Sequence, residues 1–208
     1  MNRLGKRTLI GIVVLTGAAY GCKDYLTTPP LGALNEQTLG NQDGLEATLV
    51  GAYRLIGGLI NFGSAPSNWA IASVPSDDAY KGSDPTDQGP QINPLEFYQW
   101  NNGPDYLNEK WNAMYEGVSR ANATLRLLPT VKGLPAADAA SIQGEALFLR
   151  AHFHFELWEA FGNIPYYKED DTDFRKPNLQ SADVIKNILA DLDQAISLLP
   201  DAPRHGDK

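Results

Sequence analysis

The strongest constraint on the fold comes from the segment Glu145 to Tyr166, which reads EALFLRAHFHFELWEAFGNIPY. At 100° per residue, its apolar side chains cover most of a helix and leave only a narrow polar stripe. Such a helix must be buried on several sides, so other elements have to pack around it. Arg150 and His154 project from the same side as Leu147 and Trp158. Because a buried arginine is costly unless it is paired, we expect Arg150 to meet a carboxylate.

The N-terminal 40 residues carry the pattern of export and membrane attachment. Three basic residues precede an apolar run from Leu9 to Tyr20, which is shorter than the roughly 20 residues that span a bilayer. The run ends at Cys22, the single cysteine of the chain. We expect residues 1–21 to be a lipoprotein signal peptide and residues 22–40 to be a tether that starts at an acylated Cys22. The alternative is an ordinary signal peptide with an incidental cysteine.

Charge and cysteine usage exclude several classes of partner. The formal net charge is −8, whereas nucleic-acid binding needs clustered lysine and arginine, so we expect no nucleic-acid partner. A single cysteine permits neither an intrachain disulfide nor a multi-cysteine zinc site. His152 and His154 are two residues apart and face opposite sides of a helix, so they cannot chelate one ion. No phosphate-binding glycine motif is present either, and we expect no metal and no cofactor.

Apolar residues at helical spacing predict four main helices, over about 44–59, 105–131, 136–161 and 181–199. Residues 61–104 carry six prolines and no periodic pattern, which predicts a long irregular region with a short helical turn near residues 67–73. No segment shows the alternation of a strand. The second and third helices form a helical hairpin in which Trp111 and Tyr115 partly match tetratricopeptide spacing. The predicted fold class is all-α, with residues 41–208 as one domain.

Two groups of aromatic and amide residues are candidates for binding sugars. Sugars are held by aromatic faces that stack on their C–H surfaces and by polar side chains that meet their hydroxyls. One group is Trp100 with Asn101 and Asn102, and the other is Trp69 with Asn68. The alternative for each group is ordinary loop packing.

Asp77 and Asp78 are adjacent acids in the same irregular region. Neighbouring side chains point in different directions, which disfavours a shared catalytic role on one substrate. We expect instead that one of these acids pairs with the buried Arg150. We therefore expect no catalytic residue, and glycoside hydrolysis is disfavoured.

Together these features resemble the SusD/RagB family of nutrient-binding outer-membrane lipoproteins of Bacteroidetes. The most specific mark is the acidic-Ala-x-Phe-Leu-Arg-Ala helix of residues 145–151, which runs into a Phe-Gly-x-x-Pro turn. The other marks, in family order, are the signal ending at Cys22, Leu49-x₃-Tyr53-Arg54, Ser76-Asp77-Asp78 and Trp111-x₃-Tyr115-x₄-Arg120-Ala121-Asn122.

The resemblance implies a helical body of tetratricopeptide-like pairs, of which this chain is expected to be the N-terminal part, because family members extend well beyond Lys208. It also implies a lipid-anchored protein of the outer membrane, facing the cell exterior. Such a protein captures oligosaccharides and passes them to a SusC-like TonB-dependent transporter, without catalysis. The alternative is a helical-repeat envelope lipoprotein that scaffolds protein–protein contacts without binding glycans.

Overall fold

The computed structural model describes residues 36–56, 68–82, 84, 86, 89–99, 105–202 and 204, with the backbone alone at 36, 37, 89–91 and 105. These residues belong to one compact unit, Glu36–Lys208. The predicted signal peptide, the acylated Cys22 and the platform of Trp100, Asn101 and Asn102 lie outside the described residues, so those predictions stay predictions.

The described residues form six α-helices and contain no strand, which confirms the all-α prediction. The helices are α1 (Glu36–Leu39), α2 (Gln42–Tyr53), α3 (Gly89–Glu96), α4 (Asp105–Leu127), α5 (Ala136–Phe161) and α6 (Ser181–Leu198). A π-helical turn spans Trp69–Ser73, and a 3₁₀ turn spans Leu128–Thr130.

The helix boundaries follow the sequence pattern most closely in α5, which has the predicted bounds. Gly162 ends it with a φ of 69°, a left-handed backbone conformation that favours glycine. The helix α3 lies inside the region predicted to be irregular. This helix contains two prolines. Pro90 lies in the first turn, where a backbone N–H makes no hydrogen bond within the helix, whereas Pro94 lies inside the helix and removes one such bond. The turn α1 lies in the segment that was predicted to be a tether.

The main core is enclosed by α2, α4, α5 and α6, with the fully buried Phe153 of α5 inside it. The helix α4 approaches α5 closely at Gly117, where a Cβ atom would lie 2.6 Å from the Phe153 ring. Gly144 contacts Leu199, and Trp158 donates a hydrogen bond to Ser181 at the other end, so α5 and α6 run antiparallel. A second, smaller core joins the π-helical turn, α3 and the start of α4.

Arg150 is buried, and it is paired with carboxylates as expected. Its Nε and Nη2 atoms donate to the two oxygens of Asp191 at 2.6 and 2.7 Å, and its Nη1 atom contacts Glu169. The prediction that Asp77 or Asp78 is the partner is wrong. Both of these acids are exposed, and Asp78 accepts a hydrogen bond from the neighbouring Ser76. Asp191 is the partner because the antiparallel packing of α6 on α5 places it beside the guanidinium group.

Candidate functional site

A cleft of about 340 Å³, open to solvent on one side, lies between α4 and the segment that follows α5. One wall is a stripe of α4, where side chains three, four and seven residues apart share a face. The other wall is the extended segment after the Gly162 turn. The lining residues are Trp111, Tyr115, Val118, Ser119, Asn122 and Arg126 from α4, and Pro165, Tyr167, Lys168 and Phe174 from the segment.

Four of the ten residues that line the cleft are aromatic. The ring centroids of Trp111 and Tyr115 are 4.7 Å apart, and those of Tyr115 and Tyr167 are 5.7 Å apart in an edge-to-face arrangement. Phe174 stands at the mouth, 73% exposed, with its centroid 6.0 Å from that of Tyr167. Rings that are held by one another in this way offer rigid faces on which a ligand can stack.

Hydrogen bonds fix the extended segment against α4. The Tyr115 hydroxyl donates to the Pro165 carbonyl oxygen at 2.8 Å, and the Asn122 amide donates to the Tyr167 carbonyl oxygen at 3.2 Å. The Tyr167 hydroxyl donates to the Phe174 carbonyl oxygen at 2.8 Å. Burial, followed by the effect of Tyr167, raises the pKa of the Tyr115 phenol, so this group stays protonated and remains a donor.

A buried layer behind the cleft supports this segment. The imidazole of His154 stacks on the ring of Tyr166 at 3.7 Å, and its Nε2 atom accepts a hydrogen bond from the Tyr167 N–H at 3.2 Å. The Nδ1 atom lies 3.0 Å from the Arg150 carbonyl oxygen, so Nδ1 carries the proton. Burial, helped by the nearby Arg150 charge, lowers the pKa of His154 to about 3, although the hydrogen bond to the Arg150 carbonyl oxygen acts in the opposite direction. The imidazole is therefore neutral at physiological pH.

Asn122 joins the cleft to the Arg150 ion pair. Its Oδ1 atom accepts a hydrogen bond from the Arg150 Nη1 atom at 3.0 Å, while its amide nitrogen donates to the cleft wall. The Tyr166 hydroxyl donates to the Asp191 carboxylate at 2.6 Å. The cleft is thus positioned by a rigid buried network, which favours a preformed site for a small ligand.

Comparison with known proteins identifies the family to which the chain belongs. A family model, SusD-like_3, described as "Starch-binding associating with outer membrane", matches residues 66–207, which is well over half of the chain. The chain belongs to the SusD-like family. This agrees with the resemblance found in the sequence and with the helical architecture.

Three relatives illustrate the likeness of this SusD-like chain to known proteins. SusD-like protein P38 of Formosa agariphila is 27% identical over 95 residues, which cover 44% of this chain and 18% of that protein. A solved laminarin binding SusD-like protein is 25% identical, with a TM-score of 0.66, over 78% of this chain and 35% of the other. The solved surface glycan-binding protein A from Bacteroides fluxus is 24% identical, with a TM-score of 0.65, over 80% of this chain and 36% of the other. This chain therefore spans less than a fifth of the curated relative and about a third of each solved one.

Asn68, which the sequence predicts to contact the ligand, does not line the cleft. The Asn68 Oδ1 atom accepts a hydrogen bond at 3.0 Å from Lys110, a buried lysine that is also paired with Glu156. Asn68 thus holds the buried Lys110, and its predicted contact with the ligand stays a prediction. Its neighbour Trp69 is 38% exposed and begins the π-helical turn, so it stays a proposed ligand contact away from the cleft.

The cleft itself was missed by the sequence reasoning. The sequence assigned Trp111 and Tyr115 to a helical hairpin and to the marks of the family, and it assigned no role to the mostly polar loop that follows Tyr166. The signal that could have revealed it is the pair of aromatic residues, Tyr167 and Phe174, inside that otherwise polar loop.

The described ranges contain no group of three or more His, Cys, Asp or Glu side chains arranged to hold a metal ion. Within the same ranges, no helix combines the length and the apolarity needed to cross a bilayer.

Proposed function

We propose that this SusD-like chain binds oligosaccharides at the cell surface and that they pass from it to a SusC-like TonB-dependent transporter. The observation that carries the proposal is the match of residues 66–207 to a family described as starch-binding and associated with the outer membrane. The name of the laminarin binding relative, which is 25% identical, supports a glycan as the ligand class.

The chemistry of the cleft fits a sugar. Pyranose rings present C–H faces that stack on aromatic rings, and their hydroxyls need polar partners at the edge of the same surface. The cleft offers four aromatic rings, and the side chains of Ser119 and Asn122 lie in the same wall. Outside the cleft, Trp69 and the platform of Trp100, Asn101 and Asn102 remain proposed contacts of the ligand.

Binding without catalysis is the role that the cleft supports. Glycosidic cleavage ordinarily uses two carboxyl groups on either side of the scissile bond. None of the ten residues that line the cleft is aspartate or glutamate. A sugar in this cleft therefore meets no acid/base pair among the lining residues.

Anchoring through Cys22 would hold the protein at the outer membrane, facing the cell exterior. Each buried CH₂ group of an acyl chain contributes about 0.8 kcal/mol, so stable attachment takes two or more chains. Replacing Cys22→Ala in the full chain should release the protein from the membrane fraction. Retention of the variant in washed membranes would argue against lipid anchoring.

The proposal is tested by affinity gel electrophoresis of the full chain against a panel of polysaccharides. We expect retardation by at least one glycan, and co-purification of a TonB-dependent transporter from detergent-solubilised membranes. Migration unchanged by every glycan, with no transporter co-purified, would overturn the proposal. Release of reducing sugars from any glycan would indicate a hydrolase instead.

A scaffold for protein–protein contacts is the second candidate, and one observation favours it. Within the described chain, one side of α6 exposes large apolar residues, with Leu189 53% and Ile196 74% accessible to solvent. Surfaces of this kind are more typical of protein contacts than of sugar binding. Glycan binding in the electrophoresis experiment decides between the two candidates.

A further inference from the structure

We infer that Lys176 is a positioning residue of the glycan site. Lys176 does not line the cleft. It holds residues 167–176, which we name the cleft loop, in the shape that presents Tyr167 and Phe174 to the ligand. The inference rests on the proposed function, because it takes the cleft as the place where the sugar binds.

The two aromatic residues of the cleft loop are joined to each other. The Tyr167 hydroxyl donates a hydrogen bond to the Phe174 carbonyl oxygen at 2.8 Å, and the two ring centroids are 6.0 Å apart. The Phe174 ring is largely exposed at the mouth of the cleft. Its position therefore depends on the path of the loop backbone.

Asp171 folds the first half of the cleft loop. Its backbone N–H donates to the Lys168 carbonyl oxygen at 3.2 Å, and its carboxylate accepts a hydrogen bond from the Lys168 backbone N–H at 2.7 Å. These two bonds close a turn over residues 168–171. Asp170 and Asp173 are exposed, whereas the Asp171 side chain is only 15% exposed. Asp171 is thus the aspartate of this loop that faces inward.

Lys176 connects that turn to the aromatic wall of the cleft. Its ammonium group contacts the Asp171 carboxylate and also lies over the Tyr167 ring, 5.8 Å from the ring centroid. An ammonium group in this position is attracted by the electrons of the aromatic face. One side chain therefore ties the end of the cleft loop both to its first turn and to Tyr167.

The loss of Lys176 should affect Phe174 more than Tyr167. The backbone of Tyr167 is held independently, because its N–H donates to His154 and its carbonyl oxygen accepts from Asn122. Without Lys176, the stretch that carries Phe174 loses its tie to this fixed point. A loop that is ordered before the ligand arrives loses less conformational entropy on binding, which raises the affinity. Lys176 thus acts on the ligand through Phe174.

The test is isothermal titration calorimetry of the full chain with four hexasaccharides, namely maltohexaose, laminarihexaose, cellohexaose and xylohexaose. We expect Lys176→Met to weaken the binding of each hexasaccharide that binds by about fivefold. Asp171→Asn tests the same contact from the other side and should weaken binding by a similar factor. Lys176→Arg should restore most of the affinity, because a guanidinium group can pair with Asp171 and stack on Tyr167.

Arg175→Met is the matched control. Arg175 lies in the same loop and carries the same charge, but its side chain is 96% exposed. Its replacement should leave the affinity unchanged. In the unliganded chain, hydrogen exchange of residues 167–176 should be faster in Lys176→Met than in Arg175→Met, while circular dichroism shows the same thermal unfolding for both.

A double-mutant cycle with Phe174→Ala shows whether Lys176 acts through that ring. We expect Lys176→Met to weaken binding very little in a chain that already carries Phe174→Ala, because the ring that it positions is absent. A residue that only stabilised the fold would have the same effect in both chains.

Each outcome separates the inference from the proposed function. An affinity that Lys176→Met leaves unchanged, or that Arg175→Met lowers equally, overturns the inference and leaves glycan binding in place. Additive effects in the double-mutant cycle, or a Phe174→Ala variant that binds like the parent chain, overturn it as well. Absence of binding to every hexasaccharide overturns the inference and the proposed function together.

Discussion

Arg150 on α5 and Asp191 on α6 form a two-pronged ion pair, with Nε–Oδ2 and Nη2–Oδ1 distances of 2.6 and 2.7 Å. Their side chains are only 3% and 6% exposed, so the pair lies between the two antiparallel helices. Burial alone would lower the pKa of Arg150. The hydrogen bonds and charges of Asp191 and Glu169 outweigh that effect and raise it, so the guanidinium stays charged.

Removing the Asp191 carboxylate should destabilise the chain strongly. Asp191→Asn leaves the buried Arg150 charge without its main partner, and we expect the free energy of unfolding to fall by about 3–5 kcal/mol. Urea denaturation followed by circular dichroism measures the loss. Asp193→Asn is the control, since Asp193 lies exposed on the same helix and should change stability by less than about 0.5 kcal/mol. Equal effects of the two variants would show that the ion pair does not stabilise the fold.

His154 should make the stability of the chain depend on pH. Its folded-state pKa of about 3 lies below the ordinary value of 6.5, so between these values the unfolded chain binds a proton that the folded chain does not. The part of the stability that depends on a neutral His154 is therefore fully present above about pH 6.5, and it is lost as the pH falls towards 3. Between pH 7 and pH 5 the titration of His154 should lower the free energy of unfolding by about 2 kcal/mol.

The matched variant for this titration is His154→Gln, which cannot take up a proton in this range. We expect it to be less stable than the parent chain at pH 7, because it loses the stack on Tyr166. Its unfolding free energy, however, should change by about 2 kcal/mol less between pH 7 and pH 5. Parallel pH profiles of the two chains in urea titrations would contradict the assignment of a neutral, buried imidazole.

Substitutions at Asn68 and Phe174 should show that stability and ligand binding depend on different residues. Asn68→Ala removes a hydrogen bond to the buried Lys110 and should cost about 1–3 kcal/mol of stability while glycan affinity stays unchanged. Phe174→Ala removes an exposed ring at the cleft mouth and should weaken glycan binding by about fivefold with little loss of stability. Thermal unfolding and calorimetry on both variants provide the two readouts. The opposite pattern would return the ligand site to the Asn68–Trp69 pair.

Local sequence signals predicted the helices well, but they did not predict which residues of different helices meet. The pattern of residues 136–161 is long and strongly periodic, and α5 has those bounds. The same pattern places the charged Arg150 on an apolar side of its helix, and this alone predicts that it needs an acidic partner. Which acid it meets depends on helix packing. Asp191 is 41 residues away in sequence, and no local periodicity connects the two.

The cleft was less predictable than the core for the same reason. Trp111 and Tyr115 are seven and three residues from Val118 on one stripe of α4, so the sequence predicts that they share a face. Nothing local predicts that the segment after Gly162 folds back over that face. That return depends on long-range hydrogen bonds, such as the one from Tyr115 to Pro165. The sequence therefore predicts one wall of the site and does not predict the other.

Two isoleucines on α6 test which side of that helix is buried in solution. Ile188 is 3% exposed and packs in the core, whereas Ile196 is 74% exposed. Alanine raises helix propensity equally at both positions, so the difference between the variants reports burial alone. We expect Ile188→Ala to cost about 2–4 kcal/mol in urea denaturation and Ile196→Ala less than about 0.5 kcal/mol. A comparable loss at Ile196 would mean that this side of α6 is covered in solution, because only a packed side chain leaves a cavity when it is shortened.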